Sequence, residues 1–184
     1  MVMTADLMAL SEEEVTRAFL KSGSEESFSA LARFLIPKLL RYFEIRGCNC
    51  ERAEELTQDV LLASYRHAVG LRNPEAFGAW VYRIARNALL QEIRKRGREV
   101  ATVALDELRR EPGALKTRPG SETPFVEWIA CLKSEEKELM LLRFVDGMNY
   151  DEIAAVLEIP AGTAKWKVFS CKAKILRHLR KGIE

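Results

Sequence analysis

The chain has 184 residues, 48% of them apolar and 30% charged, with a formal net charge of +2. This length holds one domain or two small ones, and the composition is that of a folded globular protein, not a disordered one. So small a net charge means that nucleic-acid binding has to come from local patches, and no apolar run reaches the length of a membrane span, so no membrane insertion is expected.

The N-terminal stretch before Ser11 lacks a basic n-region, so the expected location is cytoplasmic, where Cys48, Cys50, Cys131 and Cys171 are expected as thiols. Ser11 to Glu14 reads as a capping box, with Leu10 and Val15 placed as a hydrophobic staple, and predicts a short helix to about Leu20. Ser24 opens a second helix, with Phe28, Leu31, Leu35, Leu39 and Tyr42 as its buried stripe. Pro37 lies inside this pattern and should kink the helix. Cys48 and Cys50 fall in a loop. One Cys-x-Cys pair without a neighbouring His does not complete a zinc site, so no metal is expected there.

The next helix, from Ala53, is acidic: Glu54, Glu55 and Asp59 stand against Arg66. His67 is placed on its core-facing side. Asn73 then reads as an N-cap, with Pro74 at the first helical position. Phe77, Val81, Ile84 and Ala88 make an apolar stripe with Trp80 at its edge, while Arg83, Asn87 and Arg94 lie on another face. From Arg72 to Arg98 seven Arg/Lys oppose Glu75 and Glu92. A solvated surface would explain many charged faces. Here the run ends Arg94-Lys95-Arg96-Gly97-Arg98 and has Asn87 among the arginines. Cations neutralise phosphates, and an Asn amide both donates to and accepts from a base edge. An acidic helix beside a basic one points to two partners, one of them nucleic acid.

Between residues 99 and 123 the periodicity is lost, and Pro112, Pro119, Gly113 and Gly120 mark a linker. The expected organisation is therefore a domain over 1–98, a linker over 99–123 and a second domain over 124–184.

In the second domain Phe125, Trp128, Ile129 and Leu132 pattern a short helix. Ser134 is expected to cap the next, which Gly147 ends. Asn149, with Glu152 as its reciprocal partner, starts a third whose buried side is Ile153, Ala154 and Leu157. A turn containing Pro160 and Gly162 leads to a last helix opened by Thr163, with Ala164, Val168, Cys171, Ile175 and Leu179 along one seam. Two helices, a tight turn and a basic second helix make a helix-turn-helix. From residue 163 onward seven Lys/Arg face only Glu184. Trp166 and Phe169 lie off the seam. They either pack on another surface or touch bases, such as a thymine methyl, in a major groove.

The run from Ala53 to Arg98 resembles region 2 of bacterial sigma factors, most of all the small extracytoplasmic-function group. The acidic helix with Gln58 and Asp59, a short loop, and Phe77-x-x-Trp80 leading to Ile84-Ala85-Arg86-Asn87 carry the likeness. The resemblance implies that Glu55, Gln58, Asp59 and Leu62 dock on RNA polymerase core. It also implies that Leu71, Arg72 and Asn73 belong to a loop capturing a flipped base of the promoter minus-ten element, and that Arg83 and Asn87 contact that element. An extruded base exposes its full edge and face to a pocket. The second domain resembles sigma region 4, which reads the minus-thirty-five element. Thr163 lies in the matching start of the recognition helix, and Lys165, Lys167 and Phe169 fall on DNA-contact positions. Trp166 replaces a small Ser, and Ser170 stands where Arg is common, which removes a bidentate guanine reader.

The expected fold is thus all-α, with two helical domains joined by a flexible linker. The expected function is a sigma factor that binds RNA polymerase core and promoter DNA and is held in check by an anti-sigma factor. A helix-turn-helix regulator acting without polymerase, or a sigma mimic titrating an anti-sigma factor, is the competing reading. Gln58 and Asp59 on the acidic helix argue against the first. The basic helices argue against the second. No phosphate-binding glycine loop, metal-ligand cluster or nucleophile–base arrangement appears, so neither a cofactor nor a catalytic residue is expected.

Overall fold

A computed structural model of the chain describes residues 7, 9–68, 71, 73–103 and 124–181. Among these residues every regular element is helical, and the chain divides into two units, Met1–Lys116 and Thr117–Glu184.

The first unit contains α1 (Glu12–Ser22), α2 (Glu25–Ile45), α3 (Cys50–His67) and α4 (Pro74–Val103). Each start is specified by a side chain. Ser11 and Glu14 form the reciprocal capping box, Ser24 accepts from the Ser27 N–H, and Asn49 accepts from the Arg52 N–H at 2.9 Å. Asn73 Oδ1 accepts from the Glu75 N–H at 3.0 Å and starts α4 at Pro74, as expected. Gly23, left-handed at φ 64°, ends α1 and donates to the Phe19 carbonyl at 2.7 Å. The second helix runs through Pro37.

The helices converge on an aromatic cluster. Phe19 of α1 meets Phe28 of α2 at 4.9 Å between centroids, Phe28 meets Tyr65 of α3 at 5.1 Å, and Phe77 of α4 lies 6.2 Å from Phe19. Tyr42 of α2 packs edge-on against Tyr82 of α4 at 5.4 Å. Offset and edge-on contacts of this kind add to what area burial alone contributes.

Two expected helix faces need correction here. The buried stripe of α4 is Phe77, Val81, Ala85 and Leu89, with Ile84 and Ala88 only half-buried. Because α4 packs on α3 and also on α1 and α2, its core side follows the i, i+4 row. His67, placed on the core side by its spacing, is exposed, because the buried row of α3 runs through Thr57, Val60, Ser64 and Ala68 and leaves His67 beside it. The fourth helix also continues to Val103, past the expected domain end at 98. Once nucleated, a helix extends at little cost, and the next proline in the sequence is Pro112. Residues 104–123, most of the expected linker, lie outside the described residues.

The second unit contains α5 (Pro124–Trp128), a 3₁₀ turn (Ile129–Cys131), α6 (Ser134–Phe144), α7 (Tyr150–Leu157) and α8 (Ala161–Lys181). Ile129, Leu139, Met140, Leu142, Ile153, Val156, Ala164, Val168 and Cys171 form its core. Asn149 caps α7 as expected, accepting from the Asp151 and Glu152 N–H groups at 2.9 Å, while Glu152 accepts from the Asn149 N–H at 2.7 Å.

Several boundaries differ from those expected. Lys133, not Ser134, occupies the cap position of α6, with the Glu136 carboxylate accepting its N–H at 3.2 Å. The last helix opens at Ala161, two residues before Thr163, because Pro160 supplies the carbonyl that the Ala164 N–H bonds at 3.0 Å. The buried side of α7 is Ile153 with Val156 rather than Leu157, and the seam of α8 ends at Ile175, leaving Leu179 exposed. Glycine does not make the turn between α7 and α8. Glu158, at φ 56°, takes the left-handed position, and Gly162 sits inside the first turn of α8.

Candidate nucleic-acid and protein-docking interfaces

The third helix presents Glu55, Gln58, Asp59 and Leu62 at i, i+3, i+4 and i+7, and all four are exposed. Its other side, Ala53, Leu56, Thr57 and Val60, is buried in the unit. Leu62 is 47% exposed, an apolar contact with Asp59 one turn before it and the exposed Arg66 one turn after. Such a face suits a basic protein partner with an apolar spot at its centre.

The fourth helix presents the opposite charge. Arg83, Asn87 and Arg94 are exposed and lie on one side of it, and Lys95 and Arg96 extend the basic end. In the loop before α4, Leu71 is half-buried and Asn73 exposed; Arg72 lies outside the described residues. Because Asn73 Oδ1 is committed to the helix cap, its amide NH₂ is what remains to meet a ligand.

A charge ladder joins α3 and α4 that the sequence reading did not contain. Arg52 donates through Nη1 to Glu55 and through Nη2 to Glu92 at 2.6 Å, and Arg96 Nε donates to Glu92 at 2.8 Å. Burial pushes the Glu92 carboxyl up, but the hydrogen bonds from Arg52 and Arg96 outweigh it and hold the group below the usual carboxylate range. Glu55 and Glu92 together raise the Arg52 guanidinium further above its already high value. The i, i+3 pair within α3 was legible from spacing. The contact between residues 52 and 92 is tertiary and left no local signal.

The cysteines stand apart from these faces. All four are free, and burial pushes the Cys48 and Cys171 thiols up, so both are core groups, while Cys50 and Cys131 are exposed. Cys50 Sγ lies 3.7 Å from a Glu44 carboxylate oxygen.

In the second unit the exposed side of α8 carries Lys165, Trp166 and Phe169, with Thr163, Lys167 and Ser170 half-buried beside them. Trp166 is 66% and Phe169 74% exposed, too much for core residues of this unit. A groove between α8 and the start of α6 is lined by Lys133, Ser134, Glu135, Glu136, Trp166, Lys167, Ser170 and Lys174. It sets the Trp166 face beside three lysines and two carboxylates at a helix N-terminus, with Lys174 paired to Glu136, so its charge is mixed. Lys133 and Lys174 were not singled out from the sequence, because they come to the groove from different helices.

Two family models match this chain: sigma-70 region 2 over residues 28–99 and sigma-70 region 4 over residues 125–169. The chain belongs to the sigma-70 family. The first match covers most of α2, all of α3 and most of α4, and the second runs from α5 into α8. The sigma factor is 28% identical over 134 residues to the ECF RNA polymerase sigma-E factor of Escherichia coli K12, covering 66% of this chain and 70% of that protein. It is 28% identical over 145 residues to the ECF RNA polymerase sigma factor EcfG of Rhodopseudomonas palustris, covering 76% and 78%. Among solved structures its fold is similar to that of the sigma factor RpoE in complex with the anti-sigma factor NepR from Bartonella quintana. That likeness has a TM-score of 0.60 at 24% identity and covers 84% of this chain and 98% of that one. The extracytoplasmic-function group named in these relatives is the one that the region 2 motif resembles. Among the described residues no helix is long and apolar enough to cross a membrane.

Proposed function

We propose that this sigma factor brings RNA polymerase core to promoters through two separate units, with no chemistry of its own, in the cytoplasm. Glu55, Gln58, Asp59 and Leu62 dock on the polymerase. Leu71, Arg72 and Asn73 form the pocket rim for a flipped minus-ten base, with Arg83 and Asn87 on the adjoining strand. Thr163, Lys165, Trp166, Lys167, Phe169 and Ser170 hold the minus-thirty-five duplex. The observation that carries this reading is the pairing of an exposed acidic face on α3 with an exposed basic, Asn-bearing face on α4. One face suits a basic protein and the other suits DNA, so a single unit can join polymerase to promoter.

Tethering two modest DNA contacts raises the effective concentration of the second once the first is made, so neither unit needs high affinity alone. An anti-sigma partner of the kind seen with the Bartonella protein would act by covering one of these faces.

The test is transcription by purified core polymerase over a pooled promoter library, with and without the protein. Transcripts that appear only on its addition, enriched for two spaced elements, are the expected result. Duplex binding without polymerase binding would overturn the assignment.

A further inference from the structure

Glu92 belongs to neither interface proposed above, yet it is a buried carboxylate with both oxygens engaged. Oε2 accepts from Arg52 Nη2 at 2.6 Å, and Oε1 accepts from Arg96 Nε at 2.8 Å. The same Arg52 guanidinium uses Nη1 to hold Glu55 Oε2. Arg52 Nε is buried without an acceptor, so the guanidinium is oriented for its two terminal nitrogens. A ladder of alternating charge, Glu55–Arg52–Glu92–Arg96, therefore crosses from the acidic face of α3 to the basic end of α4.

We propose that Glu92 is a positioning residue for polymerase docking: it anchors and neutralises Arg52, and Arg52 in turn fixes the Glu55 carboxylate with Oε1 left for a cation of the polymerase. This rests on the reading of Glu55 as part of the docking face. Two physical effects follow from the geometry. Glu92 balances the Arg52 charge, so the face keeps the negative potential of Glu55 instead of losing it to an adjacent cation. It also pins a long side chain, so less rotamer freedom remains to be lost when the polymerase binds. Glu92 is buried away from any partner and acts through Arg52.

The test is titration of core polymerase with the full-length protein at fixed salt. Glu55→Gln and Glu92→Gln should each weaken core binding by about tenfold, the lower end of the scale for one hydrogen bond to a charged group. Because part of the Glu92 effect passes through Glu55, adding Glu92→Gln to Glu55→Gln should cost clearly less than Glu92→Gln costs alone. Adding Arg52→Gln to Glu92→Gln removes the unbalanced cation and should raise affinity above that of Glu92→Gln alone. A merely structural role, losing both ends of the pair, would lower it. Full affinity in Glu92→Gln beside a weakened Glu55→Gln, or losses that add in the double variant, would overturn the positioning role. An inert Glu55→Gln would instead remove the docking reading itself.

Discussion

Lys174 on α8 donates to Glu136 on α6, tying the helix that carries the exposed aromatics to the first long helix of its unit. The other Glu136 oxygen accepts from the Lys133 N–H and closes the start of α6. The Lys174 hydrogen bond, with Lys133 and against burial, holds the Glu136 carboxyl below its ordinary value, and Glu136 holds the Lys174 ammonium above its own. The depressed Glu136 contributes stability in full above the ordinary carboxylate pKa of about 4.3, and loses it as pH falls through the lower folded value. The raised Lys174 contributes in full below about 10.4, and loses it as pH climbs through the higher folded value. Glu136→Gln should therefore unfold at slightly lower urea at neutral pH, and its deficit should shrink steadily in acid. Far-UV circular dichroism across a pH series measures this. A deficit independent of pH would mean that shape, not charge, matters at this site.

The turn between α7 and α8 holds a non-glycine residue in the left-handed region, with Glu158 at φ 56° and its N–H on the Ala154 carbonyl. A side chain costs about 1 kcal/mol there, and glycine avoids that cost. Replacing Glu158 also removes whatever its carboxylate contacts, so the informative comparison is between two variants that both lack it. Glu158→Gly should be more stable than Glu158→Ala by about 1 kcal/mol, read from urea midpoints at equal slope. Equal midpoints would show that the turn relaxes when the side chain is shortened.

That turn also shows where sequence reading stops. The helices, their caps at Ser11, Asn73 and Asn149, and the exposed Glu55–Leu62 face were legible, because periodicity and capping are local codes. Gly162 drew the turn two residues too far along, because glycine is the usual left-handed residue and a left-handed Glu has no signature. His67 looked core-facing, but the buried row passes through Ser64 and Ala68 and misses it, a phase that the sequence pattern near the helix end did not fix. The Arg52–Glu92 contact and the gathering of Lys133 and Lys174 beside Trp166 depend on helix packing, which pairs residues 38 to 40 positions apart.

Lys165 is exposed on the same helix as Trp166 and Phe169, with no neighbouring carboxylate of its own turn to neutralise it. If it meets a phosphate, it displaces one condensed counterion. Lys165→Ala should then lower promoter affinity and reduce the slope of log K against log salt by about 0.9, with the loss uniform across promoter sequences. Filter binding of the polymerase holoenzyme over a salt series measures it. A weaker complex with an unchanged slope would take Lys165 out of the phosphate contacts and make it a base reader.

A change at Asn87 tests the proposed division between docking and opening. It stands exposed on α4, one turn from Arg83 and on the helix face away from the buried Val81, Ala85 and Leu89. The proposed docking face belongs to α3, so removing the Asn87 amide leaves that face untouched. An amide donates and accepts at once and carries no charge, which suits a base edge and gives little on a phosphate. Losing one such pairing costs about 1–3 kcal/mol, so Asn87→Ala should lower open-complex formation by about tenfold or more. Core affinity should stay the same, and so should the salt slope of closed-complex binding. A fluorescent base analogue in the minus-ten element reports opening, and titration of labelled protein with core reports docking. Loss of core binding in this variant would place Asn87 on the polymerase side and reverse the division of labour between α3 and α4.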